Sequence, residues 1–150
     1  MSDSARPLPD PVHILLAEDN PADVRLLKEM LKRVTFHHVL HEVPDGEEAI
    51  GYLRRRGRYS AEPRPDLVLL DLNMPRRDGR SVLREVKGDP DLKRIPVIVL
   101  TSSQAEEDIR QAYDAHANCY LHKPNDLAQF ESIVKKIEGF WFNAVELPSA

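Results

Sequence analysis

The chain has 150 residues, a formal net charge of −4, 41% hydrophobic and 31% charged residues, and one cysteine. That length makes about one domain, large enough to bury a core without disulfide staples. The acidic balance argues against general nucleic-acid affinity, a lone thiol cannot form an internal disulfide, and no apolar run has the length of a signal core or a bilayer span. The expectation is a soluble, cytoplasmic protein that binds neither nucleic acid nor membrane.

Residues 1–11, "MSDSARPLPDP", are polar and proline-rich and read as a disordered lead. "VHILLAED" is a short apolar run that ends on Glu18 and Asp19. "NPADVRLLKEMLKRV" reads as a helix with Asn20 as N-cap and Pro21 at the first helical position. Its apolar face is Val24, Leu27, Leu31 and Val34, spaced by three and four. "HHVLHEV" is a second strand. "PDGEEAIGYLRRRG" is a second helix, with acids early, arginines late and Gly57 as its stop. The basic runs Arg54-Arg55-Arg56 and Arg76-Arg77 read as a solvated helix end and a loop.

After the loop "RYSAEPRP" comes "LVLLDLNMPRRDG", four apolar residues running straight into Asp71, with Asn73 and Asp78 nearby and Pro75 and Gly79 breaking the chain. "RSVLREVKG" is a third helix, stopped by Gly88 and Pro90. "IPVIVLTSS" is a fourth strand ending on the Thr101 hydroxyl. "QAEEDIRQAYDA" is a fourth helix, capped by Ser102 or Ser103, with Ile109, Ala112 and Tyr113 facing inward. "ANCYLHKP" is a fifth strand, in which Cys119 reads as a buried, inert thiol. "NDLAQFESIVKKIEGFWF" is a fifth helix, with Leu127, Phe130, Val134 and Ile137 on one face. The expected organisation is a lead (1–11), one domain (12–142) and a tail (143–150) too short for an effector module.

Five strand–helix units with nearly all-apolar strands imply a parallel sheet covered on both faces. In such a sheet ligands bind outside the carboxyl ends of the strands, where strand order reverses. Those ends carry Glu18-Asp19, Asp71, Thr101 and His122-Lys123-Pro124. Each has a plain reading by itself: Asp71 a cap or turn residue, Glu18-Asp19 helix-start acids, Thr101 the start of a cap, Lys123 a surface lysine. Together, at successive strand ends, they converge on one cleft. Three carboxylates there repel, and a divalent cation resolves the repulsion; hard oxygen ligands suit Mg²⁺. A lysine and a hydroxyl beside them form a cradle for a phosphoryl group on an aspartate, a known carboxylate nucleophile.

The motifs "LLAEDN", "LVLLDLNMPRRDG", "VIVLTSS" and "YLHKP", in that order, resemble the receiver domain of two-component response regulators over residues 12–142. The resemblance implies a flavodoxin-like (βα)5 fold, a doubly wound five-stranded parallel sheet of order 2-1-3-4-5. It implies Asp71 as phospho-acceptor, Glu18 and Asp19 as the acidic pair with Asp19 a direct Mg²⁺ ligand, and the Asn73 backbone carbonyl as a further ligand. Thr101 corresponds to the switch hydroxyl, Tyr120 to the switch aromatic and Lys123 to the family's lysine, with a cis peptide before Pro124. One departure is Glu18, where aspartate is frequent; the longer side chain implies contact with the metal through water.

A narrower likeness lies in "EDNPADVRLLKE", "YLRRRGRY", "AHANCYLHKP" and "IEGFWF", which resemble stand-alone regulators paired with phytochromes. It implies a phytochrome-type histidine kinase as donor, no output domain and a homodimer. Three consecutive aromatics, Phe140, Trp141 and Phe142, cannot all hide on one helix face, which favours an interface at the C-terminal helix end over a tail folded back on its own domain. Phosphorylation is then expected to alter the face built from the fourth helix, fifth strand and fifth helix. Two other functions share these residues. A haloacid-dehalogenase-like phosphatase needs a carboxylic acid two residues after its nucleophile, where this chain has Asn73, and an acid pair after its lysine, whereas Glu18-Asp19 come first. An unphosphorylated interaction module on the same fold has no use for Asp71, Thr101 and Lys123 together.

Overall fold

The computed structural model describes residues 11–33, 37–74, 76–101, 109–110, 113–114, 117, 119–122, 128, 132 and 135, with the side chains of 30, 101 and 119–122 left aside. The elements are β1 (Val12–Ala17), α1 (Pro21–Leu31), β2 (His38–Val43), α2 (Gly46–Leu53), β3 (Leu67–Leu70), α3 (Gly79–Gly88), β4 (Val97–Thr101) and β5 (Cys119–His122), with short 3-10 turns at Gly57–Tyr59 and Leu92–Arg94. Backbone at 109–110, 113–114, 128, 132 and 135 is helical.

All strand pairs are parallel, and the order is β2-β1-β3-β4-β5. The expected flavodoxin-like order is borne out. Its cause is visible in the strand sequences. Side chains alternate faces along a strand, so a strand buried on both faces must be apolar at every position. β3 is Leu67, Val68, Leu69 and Leu70, all buried. Leu67 and Leu69 join Ile14, Leu16, Ile98 and Leu100 against Leu27 and Leu31 of α1. Val68 and Leu70 join Leu15, Ala17, Val97 and Val99 against Ile50 of α2 and Val82, Leu83 and Val86 of α3. α1 therefore covers one face, and α2 and α3 the other. Each fully buried aliphatic side chain in these layers contributes roughly 1.5–3 kcal/mol. Because crossovers are right-handed, the chain reverses direction across the sheet between β1 and β3. Glu18, Asp19 and Asp71 follow those two strands directly.

Helix ends follow the expected chemistry in part. Asn20 Oδ1 accepts from the backbone N–H of Ala22 at 2.9 Å and of Asp23 at 3.4 Å, capping α1. α2 ends earlier than its glycine suggests. Its C-cap is Arg54, and Arg55 takes the left-handed conformation (φ 55°). Arg55 N–H donates to Tyr52 O at 3.0 Å and Arg56 N–H to Gly51 O at 2.9 Å, the paired bonds of a Schellman close. Gly57 also has φ 55° but lies in the 3-10 turn beyond. A second correction concerns Tyr113, which is 49% exposed rather than turned inward, while Ile109 is half-buried. A tyrosine has an apolar ring and a polar tip, so an outward position costs it little. No helix among the described residues is long and apolar enough to cross a membrane.

Candidate metal centre

The site is built on the last rungs of two strands. Asp71 N–H donates to Ala17 O at 3.0 Å, extending the β1–β3 ladder by one residue, and Glu18 N–H donates to Val43 O at 3.1 Å. These bonds carry the two acids just past the apolar layers. Asp71 is 4% exposed and Glu18 6%, whereas Asp19 is exposed. Carboxylate oxygens of Glu18, Asp19 and Asp71 all lie within 4.8 Å of one another. Donors around one octahedral Mg²⁺ stand about 3–4 Å apart, from metal–oxygen distances near 2.0–2.1 Å. The three carboxylates are thus gathered to almost the spacing a hard divalent ion requires, and the residue types suit it.

Each side chain is held from its own loop. Asn73 N–H donates to Asp71 Oδ1 at 3.2 Å, and Asn20 N–H to Glu18 Oε2 at 3.1 Å. The chain after Asp71 is pinned by Gly79, whose N–H donates to Leu72 O at 2.9 Å. A Cβ on Gly79 would stand 2.2 Å from Asp71 O and 2.6 Å from Leu72 Cα, so only glycine allows α3 to start this close to the acid. Asp78 caps the same helix, its Oδ1 accepting from Ser81 N–H at 3.0 Å. On the other side of the loop, a Cβ on Gly46 would lie 1.9 Å from Arg77 O. Asp45, 1% exposed, caps α2 through Glu48 N–H at 2.9 Å and meets Arg76 Nη1 at 3.4 Å. Arg76 has φ 67° and an exposed side chain. Arg77 donates to Ser81 Oγ at 3.0 Å and pairs with Glu85. Arg54 also reaches Glu85, Nε to Oε2 at 2.8 Å, and holds that carboxyl below its usual range.

A groove of about 480 Å³ opens beside the acids, lined by Glu18, Asp19, Pro21, Val24, Arg25, Lys28, Glu42, Val43 and Pro44. Lys28 and Glu42 pair across it. The groove reaches Glu18 and Asp19 from the α1 side, and Asp71 is not among its walls.

Of the residues singled out in the sequence, Glu18, Asp19, Asp71 and Asn73 come together. Thr101 closes β4 opposite His122 of β5, and Tyr120 pairs with Val99. That register brings the β4 and β5 ends to the same edge of the sheet as Asp71. The side chains of Thr101, Tyr120 and Cys119 lie outside the described residues, as do Lys123, its peptide to Pro124, Phe140, Trp141 and Phe142. Asp45, Gly46, Arg76 and Gly79 were not anticipated as a supporting ring. Their signal was present in the two Asp-Gly pairs, 45–46 and 78–79, each a cap followed by a residue without a side chain.

Three carboxylates gathered at the switch point of a 2-1-3-4-5 parallel sheet are the arrangement found in receiver domains. The chain belongs to the response regulator receiver domain family, which it matches over residues 14–135. Along its whole length it is 49% identical to the response regulator Rcp1 of Synechocystis sp., covering 100% of both chains. Its fold is similar to the crystal structure of the phosphorylated cyanobacterial phytochrome response regulator RcpA, with TM-score 0.89 and 52% identity over 93% of this chain and 100% of that one. The Mn²⁺-bound form of Rcp1 is similar at TM-score 0.88 and 50% identity, again over 93% and 100%. The narrower likeness to phytochrome-associated regulators is thereby borne out.

Proposed function

We propose that this receiver accepts a phosphoryl group on Asp71 from a phytochrome-type histidine kinase. The observation that carries the reading is the placement of Asp71. A carboxylate 4% exposed, at the end of an all-apolar strand and within 4.8 Å of two more carboxylates, is costly unless it is paired, binds a metal or reacts, and the grouping of three acids favours the last two. The phytochrome-type donor rests on the likeness to Rcp1 and RcpA.

In the reaction, an Asp71 oxygen attacks phosphorus, the new P–O bond forms, and the P–N bond to the donor imidazole breaks. The imidazole nitrogen takes a proton from solvent. Asn73 N–H, on Oδ1, fixes the carboxylate rotamer during attack. Glu18, Asp19, Asp71 and the Asn73 carbonyl would hold Mg²⁺, which would supply positive charge to neutralise the phosphoryl oxygens. Lys123 pairs with a phosphoryl oxygen. Thr101 moves toward the group, Tyr120 fills the space behind it, and the fourth-helix to fifth-helix face changes. Output passes through that face and through a homodimer built on Phe140, Trp141 and Phe142. Residues 12–142 form the receiver unit, acting in the cytoplasm as a signalling protein rather than as a turnover enzyme.

The test is transfer from an autophosphorylated phytochrome-type kinase carrying labelled phosphate. Label should move to the wild type in Mg²⁺, leave on treatment with hydroxylamine as an acyl phosphate does, and be absent from Asp71→Asn. A hydroxylamine-stable label, or equal labelling of the variant, contradicts the proposal.

A further inference from the structure

A second charged concavity lies at the other end of the sheet. The carboxyl end of α2, the start of β3 and the carboxyl end of α3 enclose a groove of about 630 Å³. Its walls carry Arg54, Arg55, Arg56 and Arg64 against Asp89 and Asp91. Two of the arginines are neutralised in place. Arg54 pairs with Glu85 and Asp89, and Arg64 pairs with Asp91 at 2.9 Å. Arg55 and Arg56 are exposed and make no ion pair among the described residues. Leu53 and Leu92, both nearly buried, give the groove an apolar floor.

Within the groove, Arg55 carries backbone strain. It occupies the left-handed position after a helix, where glycine fits without penalty and a side chain does not. Both hydrogen bonds of that close come from backbone N–H groups, so glycine at position 55 would make them equally well. Nothing in the local fold therefore requires an arginine here. A strained residue that the fold does not need points to a use for its side chain.

From the unpaired cations, the strain and the shape of the groove, we infer that it is a docking site for an acidic peptide segment of a partner protein. Two guanidinium groups offer bidentate geometry to carboxylates, and the aliphatic stems of the arginines with the edges of Leu53 and Leu92 offer apolar contact between them. Nucleic acid fits less well. It carries a negative charge on every nucleotide, so some phosphates would meet Asp89 and Asp91 on the rim, where a peptide can place uncharged residues. The groove sits at the amino ends of the strands, away from Asp71, so the segment and the phosphoryl donor do not compete.

The probe is a fluorescein-labelled peptide alternating glutamate with leucine, followed by anisotropy at low and physiological salt. A single-stranded DNA of equal charge is titrated beside it. The wild type should bind the peptide more tightly than the DNA, with salt weakening the complex. Arg55→Gly and, separately, Arg56→Ala should each weaken binding by tenfold or more, and Arg55→Gly should at the same time melt at a higher temperature than the wild type. Asp71→Asn should bind as the wild type does. Absence of binding, unchanged affinity in both arginine variants, tighter binding of the DNA, or loss of binding in Asp71→Asn overturns the inference.

Discussion

Asp71→Asn should make the metal-free protein more stable, although it removes the residue on which function is proposed to turn. The magnitude follows from the spacing of the acids. Two unit charges 4.8 Å apart interact by about 3.5 kcal/mol at an effective dielectric near 20. Asp71 faces two such neighbours, but Asp19 is exposed and its field is screened by water and salt. The expected net gain is about 1–2 kcal/mol, and for a chain of 150 residues each kcal/mol moves Tm by roughly 2–4 °C. Thermal melts in EDTA should therefore place the variant about 2–8 °C above the wild type. Adding Mg²⁺ should reverse the order. A ligand at one hundred times its Kd stabilises by about 2.7 kcal/mol, and only the wild type keeps the full set of ligands. A variant that melts below the wild type in EDTA, with no crossing as Mg²⁺ rises, would refute the claim that these three carboxylates form one mutually repelling metal site.

Gly79→Ala places a Cβ against the Asp71 and Leu72 backbone. It should cost about 1–3 kcal/mol in chemical denaturation and weaken Mg²⁺ binding in a titration, because the acid must move to admit the methyl group. Lys87 gives a pH signature. Burial brings its ammonium down to about 8 from 10.5. Between those values the unfolded chain holds a proton that the folded chain has released, so stability should rise with pH from about 8 to 10.5. Melts across that range should show the rise in the wild type and lose it in Lys87→Met.

The sheet was legible because its strands are buried on both faces, which makes each an unbroken apolar run, and because Asn20-Pro21 is a complete helix start. The acid cluster was legible for a related reason. Once strands are fixed, topology brings their carboxyl ends together, and Glu18, Asp19 and Asp71 are the residues found there. What the sequence did not disclose depends on neighbours distant in the chain. Gly57 suggested the end of α2, yet the helix closes on Arg55, a residue that local propensity disfavours there. Tyr113 matched an inward spacing, but its ring tolerates water and the structure leaves it outside. The contacts of Gly46 with Arg77, and of Arg76 with Asp45, join two loops separated by a strand and a helix. No pattern within either loop reports them.

The most direct measurement is intact mass after incubation with acetyl phosphate, with and without Mg²⁺, on the wild type and Asp71→Asn. One added phosphoryl group is expected on the wild type in Mg²⁺, and none in its absence or on the variant. Beryllofluoride should bind the wild type in Mg²⁺ and not the variant. A wild type that takes up neither phosphoryl group nor beryllofluoride, or an Asp71→Asn protein that gains the same mass, would contradict the proposed role of Asp71.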